Sequence, residues 1–164
     1  MKLSAEGLEL VKQSEGFRSH IYKDVAGVPT VGYGHRLLPH ESFPDGIDEP
    51  HAAQLLARDL HAAELSVERL VKVPLTQGQF DALVDFCFNM GAGRLAASTL
   101  LTVLNHGRYD DAAEQLLRWD LAAGEVNSGL KTRRETELRL WRNPAAQHQS
   151  AAWVVSTDKQ AVNA

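Results

Sequence analysis

The sequence predicts an α+β protein in which a small β lobe precedes a larger helical lobe. Short β-prone segments, separated by turn residues, are confined to the region from 18 to 35. Beyond residue 48, apolar side chains recur at helical spacing up to about residue 142. The first of these helical stretches, from about 49 to 71, would be roughly 35 Å long, which is long enough to join the two lobes.

A short helix that ends in a glutamate is predicted at the start of the chain. Ser4 is a residue type that caps helix N-termini. Leu8, Val11 and Glu15 follow it at helical spacing and would share one face. Gly16 can end this helix, because glycine adopts the backbone conformation that helix C-termini favour. Glu15 is therefore expected in the last turn.

A β-hairpin is predicted directly after this helix. The segments 19–23 and 30–33 contain β-branched and aromatic residues, and the turn residues of 24–27 separate them. The stretch 37–46 holds two prolines and an Asp-Gly pair, so we expect a loop there. Together with the flanking residues, these segments define a small lobe of about 16–47.

Helices are predicted for the rest of the chain. Asp48 can cap the joining helix. Thr76 and Gln79 form a capping-box pattern, and the helix that they open is apolar on nearly every side through Phe88. It is therefore the predicted centre of a helical lobe of about 72–144. Further expected features are helix closure by Gly91 and Gly93, a helix from Ser98 to Asn105, one from an Asp110 cap to about Trp119, a loop from Gly124 to Gly129, and a basic helix from Leu130 to Arg142.

The composition is that of an ordinary globular protein. The chain has 164 residues, of which 44% are hydrophobic and 23% charged. Its net charge of −4 gives no electrostatic reason to expect binding to nucleic acid or to an anionic membrane. The one cysteine, Cys87, lies in an apolar stretch and is expected to be a buried thiol. Residues 145–164 are expected to form a loosely attached tail in which Trp153 packs on the helical lobe.

Glu15 and Asp24 are candidate catalytic residues. Glycoside hydrolysis commonly needs one protonated carboxyl, which donates to the leaving oxygen, and one carboxylate, which activates water or attacks the sugar. Glu15 would lie on an apolar face at the negative end of its helix, and both features disfavour its charged form. Asp24 would lie in a polar turn that favours ionisation. The two carboxyls would thus hold different charges.

Thr30 would stand on the same strand face as Gly32 and Gly34. The two glycines would let a bulky ligand approach the backbone, and the hydroxyl could hold a water molecule. The alternative is that both are ordinary hairpin glycines. With 21 acidic residues in the chain, the spacing of Glu15 and Asp24 alone carries little weight.

Several motifs in this order resemble those of the phage lysozymes, the muramidase endolysins of glycoside hydrolase family 24. The similarity runs from about residue 4 to residue 141. The motifs are Glu-Gly-Phe-Arg at 15–18, Tyr-Lys-Asp at 22–24, Thr-Val-Gly-Tyr-Gly-His at 30–35, and the later segments 73–84, 88–91, 98–101, 117–119 and 129–135.

The resemblance implies a lysozyme fold in residues 1–144, with a cleft between the lobes. It also implies hydrolysis of the β-1,4 bond between N-acetylmuramic acid and N-acetylglucosamine in peptidoglycan, without a metal or organic cofactor. Glu15 would be the catalytic acid, Asp24 the second carboxylate and Thr30 the residue that positions the attacking water. We expect inversion at the anomeric carbon. A lytic transglycosylase and a non-catalytic peptidoglycan-binding relative remain as alternatives.

Three further residues each have two interpretations. His35 either contacts the site or pairs with a carboxylate that fixes the sheet. Asn89 either hydrogen-bonds a sugar amide or caps the end of its helix. Arg133, with its neighbour Arg134 at the start of the last helix, either lies near Glu15, as the family's geometry implies, or belongs to a solvated basic face that pairs with Glu135 and Glu137. The seven histidines show no paired metal-ligand spacing, so the sequence predicts no metal site.

The resemblance also implies a route to the substrate. Residues 1–6 lack the apolar core of a signal peptide, and no stretch is long and apolar enough to span a bilayer. We therefore expect a monomer, without stable membrane insertion, that accumulates in the host cytoplasm. It would reach the peptidoglycan in the periplasm when a holin opens the inner membrane, and so cause lysis for phage release.

Overall fold

The computed structural model describes residues 1–24, 26–122 and 124–143. Across these ranges, no helix combines the length and the apolarity that a membrane span needs. The predicted tail of 145–164, with Trp153, lies outside the described residues. The elements in chain order are α1 (Ala5–Glu15), β1 (Arg18–Lys23), β2 (Pro29–Gly32), β3 (His35–Arg36), α2 (Glu49–Leu70), α3 (Gln77–Met90), α4 (Ala92–Ala96), α5 (Thr99–Asn105), α6 (Tyr109–Leu116), β4 (Leu121–Ala122), β5 (Glu125–Val126) and α7 (Ser128–Trp141).

Helix α1 begins and ends as the sequence predicts. The Ser4 side chain accepts a hydrogen bond from the Gly7 N–H and so caps the helix. Gly16 has a φ of 71°, and its N–H donates to the Lys12 carbonyl at 2.9 Å, which closes the last turn. Glu15 is therefore the last helical residue, immediately before the chain turns into the sheet.

The predicted hairpin is present, together with a third strand that the sequence pattern did not reveal. Strand β2 is central and pairs antiparallel with β1 on one side and β3 on the other. Because β3 has only two residues, it shows no alternation in the sequence. Strand β2 ends at Gly32, and Tyr33 and Gly34 form the turn to β3. Gly34 therefore shares no strand face with Thr30, contrary to expectation.

Gly32 is buried against helix α2. A Cβ added to it would lie 2.9 Å from the Cβ of Ala52 and 3.1 Å from Cδ1 of Ile47. Its φ of 65° also lies in the left-handed region that favours glycine. The expectation that Gly32 opens the strand to a ligand is therefore wrong. Its missing side chain lets the sheet approach the helix.

Helix α2 is the predicted joining helix and is one residue shorter than expected. The Asp48 side chain accepts a hydrogen bond from the His51 N–H at 2.9 Å, as a helix cap does. Val71 has extended backbone, with φ −82° and ψ 132°, so the helix ends at Leu70. Its buried apolar side chains are Ala52, Leu55, Leu56, Leu60, Ala63 and Val67.

Helix α3 is the centre of the helical part, as predicted. Its capping box is complete, because the side chains of Thr76 and Gln79 each accept from the backbone N–H of the other. Every residue from Gly78 to Cys87 is buried. The Gly91 N–H donates to the Cys87 carbonyl at 2.8 Å and ends the helix. Helices α1, α2, α4 and α7 all pack on α3.

The elements after α3 differ from expectation at several points, among them α7, which begins at Ser128 and ends at Trp141, whereas Leu130 to Arg142 was predicted. Gly93 lies within the short helix α4 and does not close α3. Asp110 lies inside α6, which begins at Tyr109 without a side-chain cap and ends at Leu116 rather than near Trp119. Strands β4 and β5 form a two-stranded sheet, of which β5 lies inside the predicted loop from Gly124 to Gly129 and β4 just before it. Strands of two residues are too short to produce a periodic signal.

Candidate active site

Two cavities meet at Glu15 and Asn89, which line both of them. The first has a volume of about 560 Å³ and lies between the sheet and the end of α3. The second, of about 610 Å³, lies between α1 and the start of α7. Glu15 can therefore act on a molecule that occupies both. The first cavity is also lined by Gly34, His35 and Arg36, and the second by Ser128, Thr132 and Arg133.

The Glu15 carboxylate is held from two directions. Its Oε1 accepts a hydrogen bond from Nη1 of Arg133 at 2.8 Å, and the side chain is 23% exposed. On its other side, a Cβ added to Gly34 would lie 3.2 Å from Oε2, and the Gly34 φ is 79°. Any larger residue at position 34 would therefore crowd this carboxylate as well as strain the backbone.

Arg133 is a buried residue that joins Glu15 to a second acid. Its Nε and Nη2 donate to the two carboxylate oxygens of Asp85 at 2.8 and 2.7 Å. Burial alone would lower the pKa of Arg133, but the bonds to Asp85 and the charge of Glu15 outweigh it and raise the pKa. The alternative of a solvated basic face is therefore wrong for Arg133. Two carboxylates share this guanidinium.

Asp24 is a charged residue at the end of β1. Its Oδ1 accepts from the backbone N–H groups of Ala26 and Val28 at 2.8 and 2.9 Å. Its Oδ2 accepts from Nη2 of Arg36 at 2.8 Å. The bond from Val28, with those from Ala26 and Arg36, lowers the pKa of Asp24, as the polar turn predicts. Arg36 lines the first cavity and so links Asp24 to it.

Thr30 is buried, with 2% of its surface exposed. Its hydroxyl donates to the Val28 carbonyl at 2.9 Å. Because the N–H of Val28 also donates to Asp24, the backbone of Val28 fixes the side chains of both Thr30 and Asp24. The Thr30 hydroxyl still has lone pairs that can accept a hydrogen bond from water. Within the described residues, neither Asp24 nor Thr30 is among those that line the two cavities.

Asn89 lies inside α3, one residue before its end, and does not cap it. The helix is closed by Gly91, so the capping interpretation of Asn89 is wrong. Its Oδ1 accepts a hydrogen bond from Nη2 of Arg134 at 2.9 Å. Arg134 is fully buried and pairs with Glu137, whereas Glu135 is exposed. The two neighbouring arginines of α7 therefore hold the two residues that both cavities share.

His35 lines the first cavity and also pairs with carboxylates, so both of its interpretations describe part of its setting. Its Nδ1 lies 2.7 Å from Oδ2 of Asp59 and its Nε2 lies 2.6 Å from Oε2 of Glu41. Burial alone would lower the pKa of His35, but the two carboxylates raise it. Glu41 also accepts from Arg58 at 2.7 Å. The loop 37–46 is thereby attached to β3 and α2.

This cluster predicts a pH-dependent stability. The raised pKa of His35 gives stabilisation that is complete below the unfolded value of about 6.5 and is lost as the pH rises through the folded value. The bonds from the Leu38 N–H and His35 lower the pKa of Glu41 from 4.5 to about 2, so its contribution is complete above 4.5 and is lost as the pH falls towards 2. We expect the largest combined contribution between about pH 4.5 and 6.5.

Replacing His35 with glutamine tests this expectation. At about pH 5.5, His35→Gln should lower the free energy of unfolding in urea by roughly 1.5–3 kcal/mol, the usual contribution of a hydrogen bond to a charged group. The loss should shrink at about pH 9, where the imidazole is neutral. The exposed His40 of the same loop supplies the control variant His40→Gln. The same pH dependence in both variants would contradict the prediction.

Sequence reasoning missed two residues of this site: Arg36 and Asp85. Asp85 could have been noticed, because an acidic residue inside the apolar stretch 80–88 is rarely buried without a partner. Arg36 carries no comparable signal, since exposed and buried arginines look alike in a sequence. Arg134 was noticed beside Arg133, but its contacts with Asn89 and Glu137 were not predicted. Across the part of the chain that the structure describes, no three His, Cys, Asp or Glu residues are grouped so as to hold a metal ion.

Comparison with known proteins relates the chain to one family. A model of the phage lysozyme family matches residues 12–137. The endolysin of Salmonella phage P22 is 38% identical over 144 residues, which are 86% of this chain and 98% of that endolysin. The endolysin of Bacillus phage B103 is 42% identical over 144 residues, 86% of this chain, but the chain spans only 54% of its length.

A solved structure agrees with this relationship. The muramidase domain of SpmX from Asticaccaulis excentricus has a TM-score of 0.80 to this chain at 37% identity. The match covers 87% of this chain and 99% of that domain. Together with the helices and the small antiparallel sheet, it confirms the predicted lysozyme-like α+β fold.

Proposed function

We propose that this chain, which belongs to the phage lysozyme family, hydrolyses the β-1,4 bond between N-acetylmuramic acid and N-acetylglucosamine in bacterial peptidoglycan. The observation that carries the proposal is the position of Glu15 at the junction of two cavities, where a saccharide chain can lie on both sides of one carboxyl group. The names of its relatives, endolysin and muramidase, are consistent with the same chemistry.

In the mechanism that we propose, Glu15 is the general acid and Asp24 is the general base. Glu15 carries a proton in the reacting complex and gives it to the glycosidic oxygen as the bond to the leaving sugar breaks. Asp24, which the turn keeps ionised, removes a proton from the attacking water. Thr30 holds that water through the free lone pairs of its hydroxyl. Inverting enzymes keep their carboxyls about 6.5–9.5 Å apart to leave room for such a water.

Product analysis tests the proposal. Purified Gram-negative sacculi digested with the protein should release muropeptides that end in reducing N-acetylmuramic acid, detected by mass spectrometry. Proton NMR during the first minutes should show the α-anomer, because direct attack inverts the β-bond. Initial release of the β-anomer would refute inversion. Absence of any soluble fragment would refute the hydrolase itself.

The same digestion separates hydrolysis from lytic transglycosylation, which needs only one acid and leaves anhydromuramoyl ends. We expect Asp24→Asn to lower the rate by about a hundredfold, the lower end of the range for general base catalysis. The control Asp45→Asn changes an exposed aspartate of the neighbouring loop and should remain active. Anhydro products together with an active Asp24→Asn variant would favour the transglycosylase.

We further propose the setting of the reaction. Residues 1–144 would form one catalytic domain, which acts as a monomer on peptidoglycan and causes host lysis. The protein would accumulate in the host cytoplasm and reach the periplasm when a holin opens the inner membrane. The name endolysin, which the curated relatives carry, supports the cell-wall substrate of this proposal.

A further inference from the structure

A buried ion pair lies directly behind one wall of the two cavities. Arg134 and Glu137, one turn apart on α7, both have side chains with 0% exposure, and Nη2 of Arg134 lies 2.7 Å from Oε1 of Glu137. The Arg134 guanidinium also lies over the ring of Phe86, 5.0 Å from its centroid. The same Nη2 donates to Oδ1 of Asn89, which lines both cavities. The pair therefore reaches the site through Asn89.

In the described part of the chain, several polar atoms of this pair lack the hydrogen bonds that would make it strongly stabilising. The Nε and Nη1 atoms of Arg134 and both carboxylate oxygens of Glu137 are buried without a well-oriented hydrogen bond among the described residues. A buried ion pair of this kind often contributes no more to stability than well-packed apolar side chains of the same size. Both groups also interact with the buried Asp85, and the guanidinium of Arg134 holds the neighbouring Asn89.

The contact settles which way the Asn89 amide points. A guanidinium can only donate hydrogen bonds, so the atom that faces Arg134 must be the amide oxygen and not the NH₂ group. The NH₂ group is then directed away from Arg134. No acceptor for it is found among residues 1–24, 26–122 and 124–143. It is therefore a free donor at the junction where Glu15 lies.

We propose that Arg134 is a positioning residue, which fixes Asn89 so that its NH₂ group donates to the acetamido oxygen of a sugar beside the bond that is cleaved. The inference rests on the proposed function, because the acetamido group belongs to the substrate named there. Glu137 holds Arg134 in place, and Asn89 makes the contact. The site thereby recognises N-acetylated sugars through a donor whose direction is set from inside the protein.

A double-mutant cycle tests the coupling. Asn89→Ala should lower kcat/KM on a soluble glycan fragment by about tenfold, the upper range for one neutral hydrogen bond. Arg134→Lys keeps the charge opposite Glu137 but lacks the planar guanidinium, and should cause a similar loss. The double variant should be no worse than Asn89→Ala, because Arg134 acts through Asn89. Losses that multiply would overturn the inference.

Two controls separate positioning from stability and identify the acceptor. Leu104→Ala removes a fully buried side chain of α5 that lines neither cavity, so it should lower stability and leave kcat/KM unchanged. On de-N-acetylated glycan, the loss caused by Asn89→Ala should disappear. A loss of equal size on both glycans would overturn the acetamido assignment in favour of a sugar hydroxyl.

A binding measurement keeps the inference independent of turnover. In the Glu15→Gln background, NMR titration with a tetrasaccharide of N-acetylglucosamine should give about tenfold weaker binding when Asn89→Ala is added. Equal binding by the two variants would overturn the inference even if the wild-type protein cleaves peptidoglycan. Weaker binding in a protein that cleaves nothing would support the inference and refute the proposed function.

Discussion

Glu15→Gln should lower the rate of cell-wall lysis by about 10²- to 10⁴-fold, the range over which a general acid contributes. The amide has the shape of the carboxylic acid but cannot give a proton to the leaving oxygen. Its oxygen can still accept the hydrogen bond that Arg133 now donates at 2.8 Å, so the packing around it should persist. The measurement is the fall in turbidity of chloroform-treated Gram-negative cells.

A matched control lies on the same helix. Glu9 is exposed and pairs only with Lys12 among the described residues, so Glu9→Gln removes one carboxylate from α1 without touching the cavities. It should lyse cells at the wild-type rate. Circular dichroism and the thermal midpoint should be nearly the same for both variants. Lysis by Glu15→Gln at the rate of Glu9→Gln would remove Glu15 from the mechanism.

The second large effect concerns stability. Arg133→Met should lower the free energy of unfolding by about 3–5 kcal/mol, because it removes the charged donor of both hydrogen bonds that the buried Asp85 carboxylate accepts. That carboxylate is 0% exposed and now accepts two hydrogen bonds from Arg133 at 2.8 and 2.7 Å. Unfolding in guanidinium chloride, followed by tryptophan fluorescence, gives the measurement.

Two further variants show whether the unpaired charge is the cause. Arg139→Met changes an exposed arginine of the same helix and should alter stability by no more than about 0.5 kcal/mol. Adding Asp85→Asn to Arg133→Met removes the unpaired charge and should restore part of the loss. If Arg133→Met were no more destabilising than Arg139→Met, the carboxylate of Asp85 would not depend on this guanidinium.

Local chemistry explains why the ends of the long elements were predictable. Ser4, Asp48 and Thr76 each cap a helix with the side chain that the sequence displays, and Gly16 ends α1 through its positive φ. These signals depend on residues only a few positions apart. The same holds for the charge state of Asp24, which follows from a turn that its own neighbours form.

Pairing between distant residues was not predictable in this way. Arg133 and Glu15 are 118 positions apart, and Arg133 and Asp85 are 48 apart. Periodicity assigns a residue to a face but does not say which side chain it meets there. Family resemblance placed a basic residue near Glu15, whereas the second acid, Asp85, and the contact between Arg134 and Asn89 became apparent only from the fold.

Short elements and tight packing were missed for a different reason. Strands β3, β4 and β5 have two residues each, so no alternation identifies them. Gly32 was expected to face a ligand because glycine leaves space on a strand. Only the approach of Ala52 shows that a helix takes that space. The prediction that close packing requires a glycine here was correct, but the group that packs against Gly32 is helix α2 and not a ligand.

The long separation between Glu15 and Arg133 has a consequence for biosynthesis. The ribosome synthesises Glu15 well before Arg133, because the two residues are 118 positions apart in the chain. A nascent or prematurely terminated polypeptide that stops before α7 thus contains Glu15 without Arg133. The hydrogen bond between Glu15 and Arg133 can therefore form only when translation of the helical region is nearly complete.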